Sequence, residues 1–134
     1  MKSIKDIYKI ALEDREPKYA LEQWYSRLAE KSVDEIDIND ICRMLGQDIL
    51  VEIAVEKAIE MLKVDPLAGW SYDGQLIELL YSLDDTKLGK SKKTIEDLLH
   101  KINENLDENE FICPQDYEEY MVLLRRFQDK LKSN

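Results

Sequence analysis

Glu96, His100 and Glu104 lie four residues apart, so on a helix they share one face. Imidazole and carboxylate at that spacing can chelate a divalent cation. Any solvated helix face produces the same spacing, and the Asp97-x-x-His100 pair has no second copy to complete a dinuclear site. His100 is the only histidine, so a Ser-His-Asp triad would have to use it, and no serine stands out as its nucleophile. The chain has neither a G-x-S-x-G turn nor a glycine-rich phosphate cradle. Paired carboxylates could still act as general acid and base. With 29 acids in 134 residues, however, pairs arise by chance and spacing singles out none. The expectation is a chain with no catalytic residue, no metal and no cofactor, against the rival of a small all-α enzyme that works through its carboxylates.

The elements that would position these residues are helices. Ile4, Ile7, Tyr8, Ala11 and Leu12 recur at helical spacing over residues 3–14, and Pro17 suits the first turn of a second helix with Ala20, Leu21, Trp24, Tyr25 and Leu28 inward. Ile38, Ile41, Cys42 and Leu45 mark a short helix capped by Asp37 or Asn39 and stopped at Gly46. Residues 48–64 are the most apolar segment and leave one polar strip, Glu52, Glu56, Glu60 and Lys63; this is the expected central helix. Asp65-Pro66 ends it, because a residue before proline avoids helical geometry. Leu76, Ile77, Leu79, Leu80 and Leu83 give a further buried helix. Ser91 or Thr94 caps one carrying Ile95, Leu98, Leu99, Ile102 and Leu106. Pro114 opens the last, with Tyr117, Tyr120, Met121, Leu124, Phe127 and Leu131 as its stripe. The reading is all-α, a single domain over residues 1–134 built as an irregular bundle of about seven helices.

Composition narrows the class. A chain that is 44% hydrophobic and 36% charged is patterned as a soluble globular protein. No apolar run approaches the roughly 20 residues of a membrane span. The stretch "MKSIKDIYKI" lacks the uninterrupted apolar core of a signal peptide, so a cytoplasmic location is expected. Cys42 and Cys113 are then two reduced thiols, with Cys42 buried. The net charge of −10 is unevenly spread. Residues 1–30 are balanced, residues 87–134 carry −1, and residues 31–86 carry −9. Nucleic acid and acidic lipid would both be repelled. Solubility needs only net charge of either sign, whereas a one-signed patch steers a complementary, basic protein partner.

The acidic third contains the odd segment "DPLAGWSYDG", residues 65–74. In a structural reading Pro66 stops the central helix, Gly69 allows a left-handed turn, and Trp70 or Tyr72 folds back as a plug over the core. Asp73-Gly74 is the turn pair that starts the next helix. In a functional reading Trp70 or Tyr72 stands at least partly on the surface as a rigid interface anchor.

Residues 37–84 resemble the helical immunity proteins of bacterial contact-dependent growth inhibition (CDI) and related polymorphic toxin systems. The resemblance is carried first by a D-[IV]-C-R-x-L core and following glutamine, here Asp40, Ile41, Cys42, Arg43, Leu45 and Gln47. A second signature, D-P-L-A-G-x-x-Y-D-G-x-L, is matched by Asp65, Pro66, Leu67, Ala68, Gly69, Tyr72, Asp73, Gly74 and Leu76, with Trp70 at a variable position. The resemblance implies an antidote and not an enzyme. Such a protein binds the toxic C-terminal domain of a neighbour-delivered effector and blocks its active site. Many such toxins are nucleases, whose basic clefts an acidic inhibitor can occupy. The expected toxin-binding residues are Asp34, Glu35, Asp73, Asp84 and Asp85 for steering and pairing, with Trp70 and Tyr72 as anchors. Glu52, Glu56 and Glu60 form a second candidate face. The alternative is a helical adaptor or regulator that binds another protein without any toxin.

Overall fold

The computed structural model describes residues 3–4 and 20–132, and among these every regular element is helical. The expected helix over residues 3–14 and the helix start at Pro17 lie outside the described residues, save for Ser3 and Ile4. The chain divides into two compact units, Met1–Asp40 and Ile41–Asn134. No helix among the described residues is long and apolar enough to cross a membrane.

In the first unit, α1 (Ala20–Glu30) buries Trp24, Leu28 and Ala29. Ile4, fully buried, donates its backbone N–H to Lys31 O at 2.7 Å. A 3-10 turn (Val33–Glu35) follows and leads to α2 (Ile38–Gln47), which continues into the second unit. Asp37 and not Asn39 caps α2. Its Oδ1 accepts from Asp40 N at 2.9 Å while Asp40 Oδ2 accepts from Asp37 N at 3.1 Å, a reciprocal capping box with aspartate in the third helical position. Asp40 is almost wholly buried, yet it is also bonded by Trp24 Nε1 at 3.0 Å and Lys31 Nζ at 2.6 Å. Burial alone would raise its pKa. The hydrogen bonds from Lys31, the Asp37 amide and Trp24 outweigh that and hold the carboxyl below its ordinary value.

The second unit is an irregular helical bundle. Its centre is α3 (Val51–Val64), which buries Ile53, Ala54, Val55, Ala58, Ile59 and Leu62 and exposes the strip Glu52, Glu56, Glu60 and Lys63. It packs against α4 (Gln75–Ser82), the short α5 (Asp85–Leu88) and α6 (Lys92–Asn105). The last helix, α7 (Pro114–Lys132), covers α4 and α6 with Tyr120, Leu124, Phe127 and Leu131. Phe127 meets the edge of Tyr81 at 5.7 Å between ring centres. Lys130 Nζ donates to Tyr81 O and, at 2.6 Å, to Leu83 O, so a cation sits at the carbonyl end of α4.

Three helix ends differ from their sequence reading. Helix α2 runs one residue past Gly46, and Asp48 supplies the left-handed residue (φ 58°) instead. Ile49 N then donates to Met44 O at 2.9 Å, closing a Schellman-type end. Leu50 is left-handed as well (φ 47°), so the central helix starts at Val51 and not at 48. Ser91 stands at the start of α6 but its side chain makes no capping bond, because a 3-10 turn (Gly89–Ser91) feeds directly into the helix. Cys42 and Cys113 are free thiols, the first buried.

Candidate functional site

The connector between α3 and α4 is held from within by a closed set of hydrogen bonds. Asp65 leaves helical geometry (φ −140°, ψ 101°), as the following proline requires. Its Oδ1 accepts from Leu67 N at 3.0 Å and its carbonyl from Ala68 N at 3.1 Å, forming a tight turn. The two arms of the loop are then joined: Gly74 N donates to Leu67 O at 2.9 Å and Leu76 N to Ala68 O at 3.1 Å. From α7, Tyr120 Oη donates to Pro66 O at 2.6 Å. Burial, with Asp65 and Glu110 nearby, pushes the Tyr120 phenol far above its usual range, so it stays a neutral donor.

Two glycines make this path possible, and their roles differ from the sequence reading. The left-handed residue is Gly74 (φ 85°), immediately before α4, and not Gly69. Gly69 is required by close approach, because a Cβ there would stand 2.0 Å from Tyr72 O and 2.8 Å from Gln75 Cβ. Ala68 is buried, 6% exposed. Trp70 and Tyr72 are instead 54% and 49% exposed. About half of each ring is therefore exposed, so neither aromatic is a fully buried plug and both present a face at the surface.

Gln75, which sequence reasoning passed over, organises the tip. As the first residue of α4 its backbone is set by the helix. Its Oε1 accepts from Trp70 N and Ser71 N, both at 2.8 Å, and from Cys42 Sγ at 3.5 Å. Two amide donors fix which end of the side-chain amide faces the loop. Burial raises the Cys42 thiol pKa, keeping it protonated as a donor. The only sequence signal was position: Gln75 falls at an open site of the D-G-x-L signature.

The carboxylates expected at the interface are scattered over several elements. Asp73 is exposed on the loop itself. Glu78, one turn into α4, is also exposed; Tyr72 is pushed up in pKa by burial first and then by Glu78, through charge and a side-chain hydrogen bond. Asp84 is exposed at the start of α5, whereas Asp85 is half-buried with Oδ1 4.0 Å from Lys130 Nζ. Asp34 and Glu35 are exposed in the first unit. Glu35 Oε1 accepts from Ser32 N at 2.9 Å, and that bond is the main cause of its lowered pKa. On α3, Glu52 lies 3.7 Å from Lys90 and Glu60 3.5 Å from Lys57, while Glu56 is exposed between them.

His100 Nε2 meets Glu104 Oε1 at 3.0 Å on an exposed face, with Glu96 half-buried one turn away. Among the described residues, no three or more His, Cys, Asp or Glu side chains gather into a group that could hold a metal ion. What the geometry offers is a braced, acid-fringed loop presenting two aromatic rings, which suits recognition of another surface. A family model for CDI immunity proteins matches residues 6–98 of the chain. No curated protein matches it.

Proposed function

The chain belongs to the CDI immunity proteins, and from that premise we propose that it binds and neutralises a cognate CDI toxin domain through the loop over residues 65–74. The observation that carries this reading is the exposure of Trp70 and Tyr72 on a loop whose backbone is already hydrogen-bonded. Large aromatics held rigid before contact lose little entropy on binding and dominate interface energetics. Asp73 and Glu78 supply negative charge beside them. Asp84 and Asp85 follow the far end of α4, and Glu52, Glu56 and Glu60 offer a second face. Asp34 and Glu35 belong to the first unit and are assigned to steering by charge alone. The toxin is a basic nuclease acting in the cytoplasm, and the acidic protein occludes its phosphate-binding cleft. The charge of −9 over residues 31–86 supports that partner chemistry.

The test is co-expression with the C-terminal domain of the protein encoded immediately upstream, scored by survival and by affinity of the purified pair. Rescue with one-to-one binding is expected. Trp70→Ala combined with Tyr72→Ala should weaken binding by about 100-fold or more, since a pair of such anchors is worth about 3 kcal/mol or above. A folded double variant that protects as well as the parent would remove the loop from the interface.

A further inference from the structure

We infer that Gln75 is the positioning residue of the recognition loop, holding Trp70 and Tyr72 in their binding arrangement before the toxin arrives. This rests on the reading of that loop as the toxin-binding element.

In ordinary helix capping a residue ahead of the helix accepts from the first helical amides. Here the direction is reversed: the first side chain of α4 reaches back and accepts from two consecutive loop amides, Trp70 N and Ser71 N, both at 2.8 Å. Three consequences follow from the geometry. Fixing two adjacent peptide planes leaves the backbone around Trp70 little freedom, so the direction in which its side chain leaves the chain is set by the loop and not by contact with a partner. The acceptor is itself anchored, because Gln75 lies in a helix and its oxygen also takes the buried Cys42 thiol at 3.5 Å. Finally, Gly69 must lack a side chain for the loop to pass this close, since a Cβ would lie 2.8 Å from Gln75 Cβ. Gly69 and Gln75 thus form one device, a narrow approach and the acceptor it makes reachable. Trp70 and Ser71 are exposed residues, so their amides can be rehydrated once the acceptor is gone. Losing Gln75 therefore loosens the loop without unfolding the bundle.

The experiment compares wild type, Gln75→Leu, Gln75→Glu and the Trp70→Ala/Tyr72→Ala double variant. It reads backbone amide hydrogen exchange at positions 70 and 71 by NMR in the free proteins, thermal midpoint, and affinity for the purified C-terminal toxin domain of the upstream protein. Gln75→Leu is expected to lose protection at both amides and at least 10-fold in affinity, with the thermal midpoint nearly unchanged. Gln75→Glu keeps an acceptor of the same reach and should retain both protection and affinity. Unchanged exchange in Gln75→Leu would overturn the clamp, and lost protection with unaltered affinity would overturn its role in binding. If Gln75→Leu binds normally while the aromatic double variant does not, only the positioning role falls. If the double variant also binds normally, the loop interface falls with it.

Discussion

At the scale of single residues, Asp40 shows how a buried charge is tolerated. Its carboxylate accepts from an indole, an ammonium and a backbone amide, so desolvation is offset group by group. Asp40→Ala should cost about 2 kcal/mol, because it strips the Trp24 indole of this partner and opens the capping box, while Lys31 keeps Asp37 at 3.8 Å. Chemical denaturation of the variant checks the size. The pH dependence has a definite sign. Asp40 has a lowered folded pKa, so its contribution is present above the unfolded carboxyl range and is lost as pH falls through the folded value. Denaturation midpoints measured down an acid series should converge for wild type and Asp40→Ala. A constant gap between them would assign the effect to packing and not to charge.

At the scale of elements, glycines separate places where backbone freedom matters from places where it does not. A Cβ at Gly46, inside the last turn of α2, would meet nothing within 4 Å, and no left-handed backbone is needed there. Gly46→Ala should therefore stabilise by about 0.5 kcal/mol, the gain in helix propensity reduced by its place near the helix end. Gly69→Ala should act in the opposite direction, since the loop cannot keep its path with a Cβ 2.0 Å from Tyr72 O. Thermal unfolding of the two variants side by side gives the contrast, with Gly46→Ala at or above the parent and Gly69→Ala clearly below it. Two variants shifting the same way would contradict the loop geometry.

At the scale of the whole molecule, the relevant quantity is charge. Single surface ion pairs such as Lys87–Asp48 at 2.7 Å contribute about 1 kcal/mol or less to stability. In the proposed function, the acidic excess of −9 over residues 31–86 acts instead on the approach of a basic partner. Association with a basic toxin should slow several-fold between about 20 mM and 150 mM salt, where the screening length shortens to about 8 Å. Dissociation, if the proposed aromatic contacts govern it, should change far less. Stopped-flow or surface-binding kinetics separate the two rates. An association rate indifferent to salt would remove electrostatic steering while leaving immunity itself untouched.

Much of the fold was legible from sequence because its signals are local. Apolar periodicity located α3, α4, α6 and α7. Pro66 and Pro114 placed a stop and a start, and the glutamate strip on α3 came out exposed because it is the one polar row on an apolar cylinder. Two features of the connector also followed directly from sequence, its acidity and the turn at Asp73-Gly74. Tertiary structure alone decided what the connector presents. Trp70 and Tyr72 could have served as core plugs by type; in the fold Ala68 is the buried residue of the loop and about half of each ring stays exposed. Gly69 serves close approach and not a left-handed turn because Tyr72 O and Gln75 fold back upon it. Cys42 meets Gln75 from 33 residues away and Tyr120 meets Pro66 from 54. Composition and period describe a residue's immediate chain neighbours. The Gln75 clamp is close in sequence yet carries no periodic signal, and the donors that brace it and the loop, Cys42 and Tyr120, come from segments that meet only after the helices have packed.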